Sequence, residues 1–280
     1  MELQHFNELI KQGVETWNKW RKEHPEHEID AGNMSLPQAS LQGVHFNKLY
    51  LRGANLSGTD LSQATLAYSD VIGGDLSYAR LDRADLRGAN LSGANLIGAS
   101  FVGADLRGVL MNGVRLNNAN LTNAHLAKAN LNYSDLLEAN FAGTNFSNAE
   151  GIDGNFTRAN FRGATFTQVD LSFTTLIDGN FTNVSLTRMD FTDADLSGAN
   201  LSCARLSECI FVRTILAEAD FTSLSLARSL FADVDLSTVR GLETIEYLEA
   251  STMNLETARW SKGKLPEVFL KNVIISDIHS

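Results

Sequence analysis

The chain has 280 residues, a formal net charge of −10 and two cysteines. The negative balance and the lack of a basic stripe argue against direct binding of nucleic acid. The sequence has no 18-residue apolar run and no signal-peptide pattern in residues 1–20, so we expect a cytoplasmic protein without a membrane span.

Residues 1–30 are predicted to form an amphipathic helix. Apolar residues recur there three or four positions apart, namely Leu3, Phe6, Ile10, Val14, Trp17 and Trp20. We expect the helix to end before Pro25, because the residue before a proline disfavours helical angles. A repeat structure exposes backbone and apolar groups at its open end, so the helix is interpreted as a cap. Binding of a partner is the alternative role.

Residues 31–241 carry a five-residue pattern. Every fifth residue from Leu36 to Leu236 is large and apolar, and we call these positions rungs. Of the 41 rungs, 40 are Leu, Phe, Val or Met, and the exception is Gly151. The residue two before each rung is mostly Ala or another small residue, and the residue between them is mostly polar. Glycines are frequent in the second position after the rung, which we call the corner.

A period of five fits neither a continuous helix nor a continuous strand. The small–polar–large triplet alternates as a strand does, so the chain must turn within each pentapeptide to bring the next rung inward. Gly, Asn and Asp near the turn tolerate the unusual backbone angles that this requires. Each coil buries its rungs only against neighbouring coils, which predicts an all-β solenoid.

Three consecutive runs resemble the A(D/N)LXX motif of the pentapeptide-repeat family. They are Ala84-Asp85-Leu86-Arg87-Gly88, Ala89-Asn90-Leu91-Ser92-Gly93 and Ala94-Asn95-Leu96-Ile97-Gly98. The resemblance implies a right-handed quadrilateral β-helix, the repeated-five-residue fold, with four pentapeptides per coil and about ten coils here. The segment from Trp17 to Arg21 is similar to N-terminal segments of members common in cyanobacteria.

One polar column agrees with four pentapeptides per coil. Asparagines recur every twenty residues and would stack on one face, at Asn120, Asn140, Asn160, Asn180 and Asn200.

With that coil length, five acidic residues form a candidate interaction patch. Glu150, Asp170 and Asp190 would stack in the row before the rung, and Asp153 and Asp193 would flank them at corners. Like charges at strand spacing are unfavourable, so a partner that rewards them is one interpretation. A solvated acidic edge tolerated through screening is the other.

Gly151 lies on the same face and lacks the rung side chain. We expect a void or a local bulge there, with Ile152 drawn inward. Replacing Gly151 by Leu would then either stabilise the site or overpack it.

Residues 242–280 are predicted to close the C-terminal end with one or two short helices or loops. Pro266 occupies a plausible first helical position. The apolar content of the segment exceeds what a solvated tail needs. Some family members dimerise through this region, so a homodimer through residues 242–280 is a second hypothesis for it.

No nucleophile–base pair, phosphate-binding loop or metal cluster stands out, so no enzyme activity, cofactor or metal site is predicted. Cys203 falls at an outward corner and Cys209 in the inward row, too far apart for a disulfide, so both are predicted to be reduced.

The preferred functional hypothesis is a scaffold that presents a flat surface to an unknown protein partner. The alternative is DNA mimicry, because fluoroquinolone-resistance members of the family resemble duplex DNA and bind gyrase. Residues 36–240 hold 20 acidic and 15 basic residues, a net of −5, which makes a mixed surface instead of a uniformly acidic one.

Overall fold

The computed structural model describes residues 3–276 and divides into two compact units, Met1–Asp135 and Leu136–Ser280. The helices are α1 (Leu3–Lys11), α2 (Val14–Glu23), α3 (Leu255–Trp260) and α4 (Glu267–Asn272). The strands are β1 (Thr165–Thr167), β2 (Ser185–Thr187), β3 (Arg205–Ser207), β4 (Ile210–Val212), β5 (Ser225–Ala227), β6 (Leu230–Ala232), β7 (Glu246–Tyr247), β8 (Ser251–Asn254) and β9 (Val273–Ser276).

Both units are built from coils of twenty residues. In unit 1, Asn55 pairs in parallel with Asp75, and in unit 2 Asn155 pairs in parallel with Thr175. The same offset recurs through the repeats, so four pentapeptides make one turn and each coil has four sides. This confirms the coil length implied by the family resemblance.

The hydrogen bonds of one pentapeptide show why its pattern works. The rung Leu56 donates its N–H to the carbonyl of Asp75 in the next coil at 2.7 Å, while Asn55 donates to Met34 in the previous coil at 2.8 Å. Ala54 and Gly58 also donate their N–H groups to carbonyls. The N–H of Ser57 instead donates to the Asn55 side chain at 3.1 Å. An Asp or Asn before the rung therefore completes the backbone hydrogen bonding of the turn.

The corners take a left-handed backbone conformation, with φ of 63° at Gly58 and 57° at Asn123. This conformation suits Gly and is tolerated by Asn, which explains the glycines of the repeat. It also directs the following small residue back toward the core. The rungs and the small row are buried in both units, except at the ends of the repeat, where Leu36, Ala39 and Val239 are partly exposed.

In unit 1 the predicted N-terminal helix is two helices. The chain breaks at Gly13, whose φ of 109° no helix accommodates. Trp17 packs against Phe6 at a ring-centroid distance of 5.0 Å and against the rung Phe46 at 5.9 Å. Phe6 and Trp17 thus cover the rung Phe46 near the start of the repeat, as expected of a cap.

Three side chains of α2 bind backbone groups at the open edge of the first coil, which another coil would otherwise bind. Asn18 accepts the N–H of His45 at 2.8 Å, and Trp17 Nε1 donates to the carbonyl of the same residue at 2.8 Å. The guanidinium of Arg21, which is nearly buried, donates to the carbonyl of Asn47 at 2.9 Å. The open edge of the first coil is therefore hydrogen-bonded by side chains.

In unit 2 phenylalanine rings fill the core in stacks along the coil direction. Phe146 and Phe166 stack at 4.7 Å, and Phe161 and Phe181 stack at 4.6 Å. An asparagine ladder accompanies them on the surface, since Asn160 donates to Asn140 at 2.9 Å.

The expectation of a bulge at Gly151 is wrong. Gly151 keeps the regular bond to Asp170 at 3.0 Å, and Ile152 has the partial exposure usual for its row. The space of the missing side chain is filled from the sides: a Cβ on Gly151 would lie 2.9 Å from Leu171 and 3.1 Å from Phe156. Of the two predicted effects of a Leu there, the contacts favour overpacking.

Strand pairing continues past Gly241, where the five-residue register ends. Ser225 pairs with Glu246 and Leu230 with Thr252, offsets of 21 and 22 residues instead of twenty. The longer coil breaks the sequence periodicity but not the sheet. Two short helices are present as expected, and Pro266 precedes the first residue of α4 as its N-cap.

Both cysteines are free thiols, as expected: Cys203 is exposed and Cys209 is buried. Burial raises the pKa of the Cys209 thiol to about 11.

Candidate interaction surface

The structure brings the stacked members of the predicted acidic patch together in unit 2. Glu150 pairs with Asp170, and Asp170 with Asp190, so the three carboxylates stand in one outward column at about 4.8 Å per coil. Glu150 is exposed, and the two aspartates are partly exposed. Whether a partner uses this column stays a prediction.

The aspartates of this column have a structural role. Asp170 accepts the N–H of Ser172 at 2.9 Å, and Asp190 accepts that of Thr192 at 2.9 Å. These are the turn bonds that any pentapeptide needs, and an asparagine would make them equally well. The turn explains an oxygen acceptor at each position but not the choice of a charged one.

The flanking residues Asp153 and Asp193 occupy corners, with φ of 55° and 58°. Arg213 binds Asp193 through two hydrogen bonds, both of 2.7 Å. That hydrogen-bonded guanidinium lowers the pKa of the Asp193 carboxyl. Much of the charge of Asp193 is thus neutralised from the next coil.

The acidic column turns apolar after three coils. Asp190 pairs with Ile210, and the same outward column continues through Leu230, Thr252 and Ile274. Ile274 is 56% exposed. We call the seven-residue column from Glu150 to Ile274 the acidic–apolar face of unit 2.

Sequence reasoning found the acidic half of this face and missed the apolar half. Reading every twentieth residue past Asp190 gives Ile210 and Leu230, so part of the signal was present. Thr252 and Ile274 were hidden because the coil lengthens beyond Gly241.

Arginines are interleaved with acids along the corner columns of unit 2, including the column that borders the acidic–apolar face. Glu208 lies between Arg188, at 2.8 Å, and Arg228, at 3.0 Å, and Arg158 binds Glu138 one coil away. DNA mimicry would favour one continuous acidic surface with the basic residues gathered elsewhere. Unit 2 does not have that arrangement.

Within residues 3–276, no group of three or more His, Cys, Asp or Glu side chains is arranged to hold a metal ion. No helix in that part of the chain is long and apolar enough to cross a bilayer.

The twenty-residue parallel coil defines a β-helical repeat protein. The family model described as Pentapeptide repeats matches in eight copies, over residues 35–67, 75–113, 110–148, 155–188, 170–202 and 199–237. The chain belongs to the pentapeptide-repeat family. No curated protein matches the sequence.

Solved structures of other pentapeptide-repeat proteins are similar. One is HetL, described as a pentapeptide repeat protein involved in heterocyst differentiation regulation from the cyanobacterium Nostoc. HetL is 24% identical in sequence, the match covers 80% of this chain and 97% of HetL, and the TM-score is 0.45. Another is full-length QnrB1, described as a plasmid-mediated fluoroquinolone resistance protein. It is 20% identical in sequence, the match covers 63% of this chain and 93% of QnrB1, and the TM-score is 0.56. A trypsin-treated variant of QnrB1 is 21% identical in sequence, and the match covers 64% of this chain and 91% of the variant. Its TM-score is also 0.56. The QnrB1 likeness shows the shared fold, the quadrilateral β-helix of the family.

Proposed function

We propose that this protein is a non-enzymatic scaffold that binds a protein partner through the acidic–apolar face of unit 2. The observation that carries the proposal is the change along one outward column, from three stacked carboxylates to exposed aliphatic side chains. A cytoplasmic location stays a prediction.

The face suits a partner that presents basic residues beside apolar ones. Carboxylates steer and orient a positively charged surface, while the aliphatic half supplies area to bury. Phe173 stands at the edge of the same face and is 57% exposed. An exposed aromatic residue of this kind is a common anchor in protein interfaces.

Photo-crosslinking in native extract tests this proposal. Benzoylphenylalanine is placed at Phe173, and a matched protein carries it at Asn183, an exposed corner two sides further round the coil. We expect one protein to cross-link at position 173 and not at 183, with a yield that falls in high salt.

The double variant Asp170→Asn/Asp190→Asn removes the charge while keeping both turn bonds, because Asn accepts the same N–H groups. It should lower the yield at position 173. The same set of proteins at both positions, with no effect of the double variant, would exclude this face as the binding surface.

DNA mimicry with gyrase as the target is the second candidate. The stacked carboxylates of Glu150, Asp170 and Asp190 favour it, because they repeat charge at regular spacing along one edge. The interleaved arginines of unit 2 and the apolar half of the face count against it.

A gyrase supercoiling assay separates the two candidates. Inhibition at low micromolar concentration by the wild type, lost in Asp170→Asn/Asp190→Asn, would establish the mimic. Unchanged supercoiling would leave the scaffold proposal in place.

We also propose a homodimer through the C-terminal segment. β9 is the edge strand of the sheet ordered β4-β6-β8-β9. Its Ile275 lies over the buried Met253 and is 45% exposed, so the described end of this apolar column is open. Val268 and Leu270 of α4 are exposed beside it in sequence.

Light scattering tests the dimer with a matched pair of variants. Ile275→Lys should give a monomer mass where the wild type gives a dimer. Ile215→Lys, an exposed isoleucine outside the terminal segment, should leave the mass unchanged. A monomeric wild type at high micromolar concentration would refute the dimer.

A further inference from the structure

We propose that unit 1 carries a binding groove for a nucleoside polyphosphate. The groove has a volume of about 530 Å³, within the usual range of small-molecule sites. Its lining residues are Tyr68, Arg87, Gly88, Arg107, Gly108, Ala127 and Lys128, and we call it the arginine groove. In a chain with a net charge of −10, its three cations outnumber the two carboxylates, Asp85 and Asp105, that pair with the arginines.

The coil builds the floor of the groove from one corner column. Positions 68, 88, 108 and 128 follow one another at twenty-residue intervals, and the two in the middle are glycines with φ of 63° and 66°. Nothing lies within 4 Å of where a Cβ on Gly108 would project. The missing side chain of Gly108 leaves a depression between the Tyr68 ring, which covers Gly88, and Lys128.

Tyr68 offers a ring face at the first end. Its ring lies against Gly88, since a Cβ there would come within 2.7 Å of the ring atom Cε1. The glycine is what lets the ring lie flat on the backbone. With 67% of the residue exposed, the outer face is open to a second planar ring.

Two guanidinium groups follow, one coil apart. Arg87 donates Nε and Nη2 to Asp85 at 2.8 and 2.7 Å, and Arg107 does the same to Asp105 at 2.8 and 2.6 Å. These pairs fix the guanidinium planes. Within residues 3–276 neither Nη1 makes a hydrogen bond, so each retains donors for an anion.

The spacing selects the ligand class. The guanidinium groups repeat at the coil distance of about 4.8 Å, which neighbouring phosphates of a polyphosphate can bridge. Lys128 extends the cationic wall by one more coil, and Tyr68 accepts an aromatic base. A nucleic-acid strand is disfavoured because the negative charge of the chain repels a long polyanion.

Isothermal titration of the full chain tests the groove with four probes: ATP, inorganic triphosphate, adenosine and a ten-nucleotide single-stranded DNA. We expect ATP to bind more tightly than the other three. Loss of one charge-assisted contact in Arg107→Gln should weaken ATP about tenfold. Tyr68→Ser should weaken ATP about tenfold and leave triphosphate unchanged.

Two further variants make the test specific. Gly108→Asn fills the floor at a small conformational cost that Asn118 and Asn123 already tolerate in the same corner conformation, and it should weaken ATP. Arg158→Gln removes an ion-paired arginine of unit 2 and should leave ATP binding unchanged. Equal ATP affinity in wild type and Arg107→Gln, or tighter binding of the DNA than of ATP, would overturn the proposal.

Discussion

The two units share one five-residue pattern and differ in core and corners. Unit 1 has two phenylalanines among its 20 rungs and ten glycines among its 20 corners. Unit 2 has ten phenylalanines among its 21 rungs and three glycines among its 21 corners. Unit 2 therefore holds many side-chain-bearing residues in the left-handed conformation, at a cost that glycine avoids.

Contacts between coils of unit 2 compensate for the cost of its corner side chains. Phe211 and Phe231 stack at 4.9 Å within 3° of parallel, and corner side chains such as Asp193 and Arg213 bind from coil to coil. In unit 1 the bidentate pairs lie within one pentapeptide, as in Asp85–Arg87. Unit 1 thus relies more on glycine corners, and unit 2 relies more on ring stacking and on bidentate pairs between coils. Single ion pairs between coils, such as Arg52–Asp70, also occur in unit 1.

The largest expected effect breaks the phenylalanine stack. Phe161→Ala removes a buried ring that stacks on Phe141 at 5.4 Å and on Phe181 at 4.6 Å, and should cost about 3–5 kcal/mol of unfolding free energy. Denaturant unfolding combined with hydrogen exchange should locate the loss in unit 2. Leu91→Ala is the control in unit 1 and should cost less, because no ring stack is lost. Equal losses would remove the proposed difference between the cores.

Gly151→Leu should destabilise by about 1–3 kcal/mol, since its first carbon already meets Leu171 at 2.9 Å and Phe156 at 3.1 Å. The denaturation midpoint measures this. Gly113→Asn, with open space around its Cβ and φ of 64°, should lower the midpoint less, because only the left-handed backbone opposes its side chain. A higher midpoint for Gly151→Leu would mean that the neighbouring side chains leave a usable void.

Gln168→Gly tests the cost of a corner side chain in unit 2. Gln168 is exposed with φ of 56°, and glycine should relieve strain for a gain of about 0.5–1 kcal/mol. Thermal unfolding would register a rise of a few degrees. If the variant melted lower than the wild type, corner strain would not distinguish the units.

The smallest expected effect is a pH dependence. Hydrogen bonds from arginine lower the pKa of Asp85 and Asp105 in unit 1 and of Asp193 in unit 2. When folding lowers the pKa of a carboxyl group, the group stabilises the folded state at pH values above its unfolded-state pKa of about 3.9. That stabilisation is lost as the pH falls through the folded-state pKa. Unfolding midpoints should therefore drop in acid.

Asp193→Asn should remove part of that dependence in unit 2 and leave hydrogen-exchange protection in unit 1 unchanged. High salt should weaken the effect because the pairs are partly exposed. An acid transition unaltered in Asp193→Asn would show that the cross-coil pair contributes nothing measurable.

The repeat was predictable because its information is local. Burial of a rung, a small residue beside it and an acceptor before it are needed in every pentapeptide, so the sequence repeats them from Leu36 to Leu236. The coil length followed from the family resemblance, and the stacking of Glu150, Asp170 and Asp190 followed from the coil length.

Other features depend on contacts between distant residues, which no local pattern records. The break at Gly13 accompanies the docking of Trp17 and Asn18 on the first coil. The regular backbone at Gly151 depends on side chains from neighbouring positions filling its space. The sequence by itself determined the coil, because each pentapeptide must satisfy its own backbone and core. Tertiary structure decided how the coil begins and what its faces present, because those depend on which side chains meet across coils.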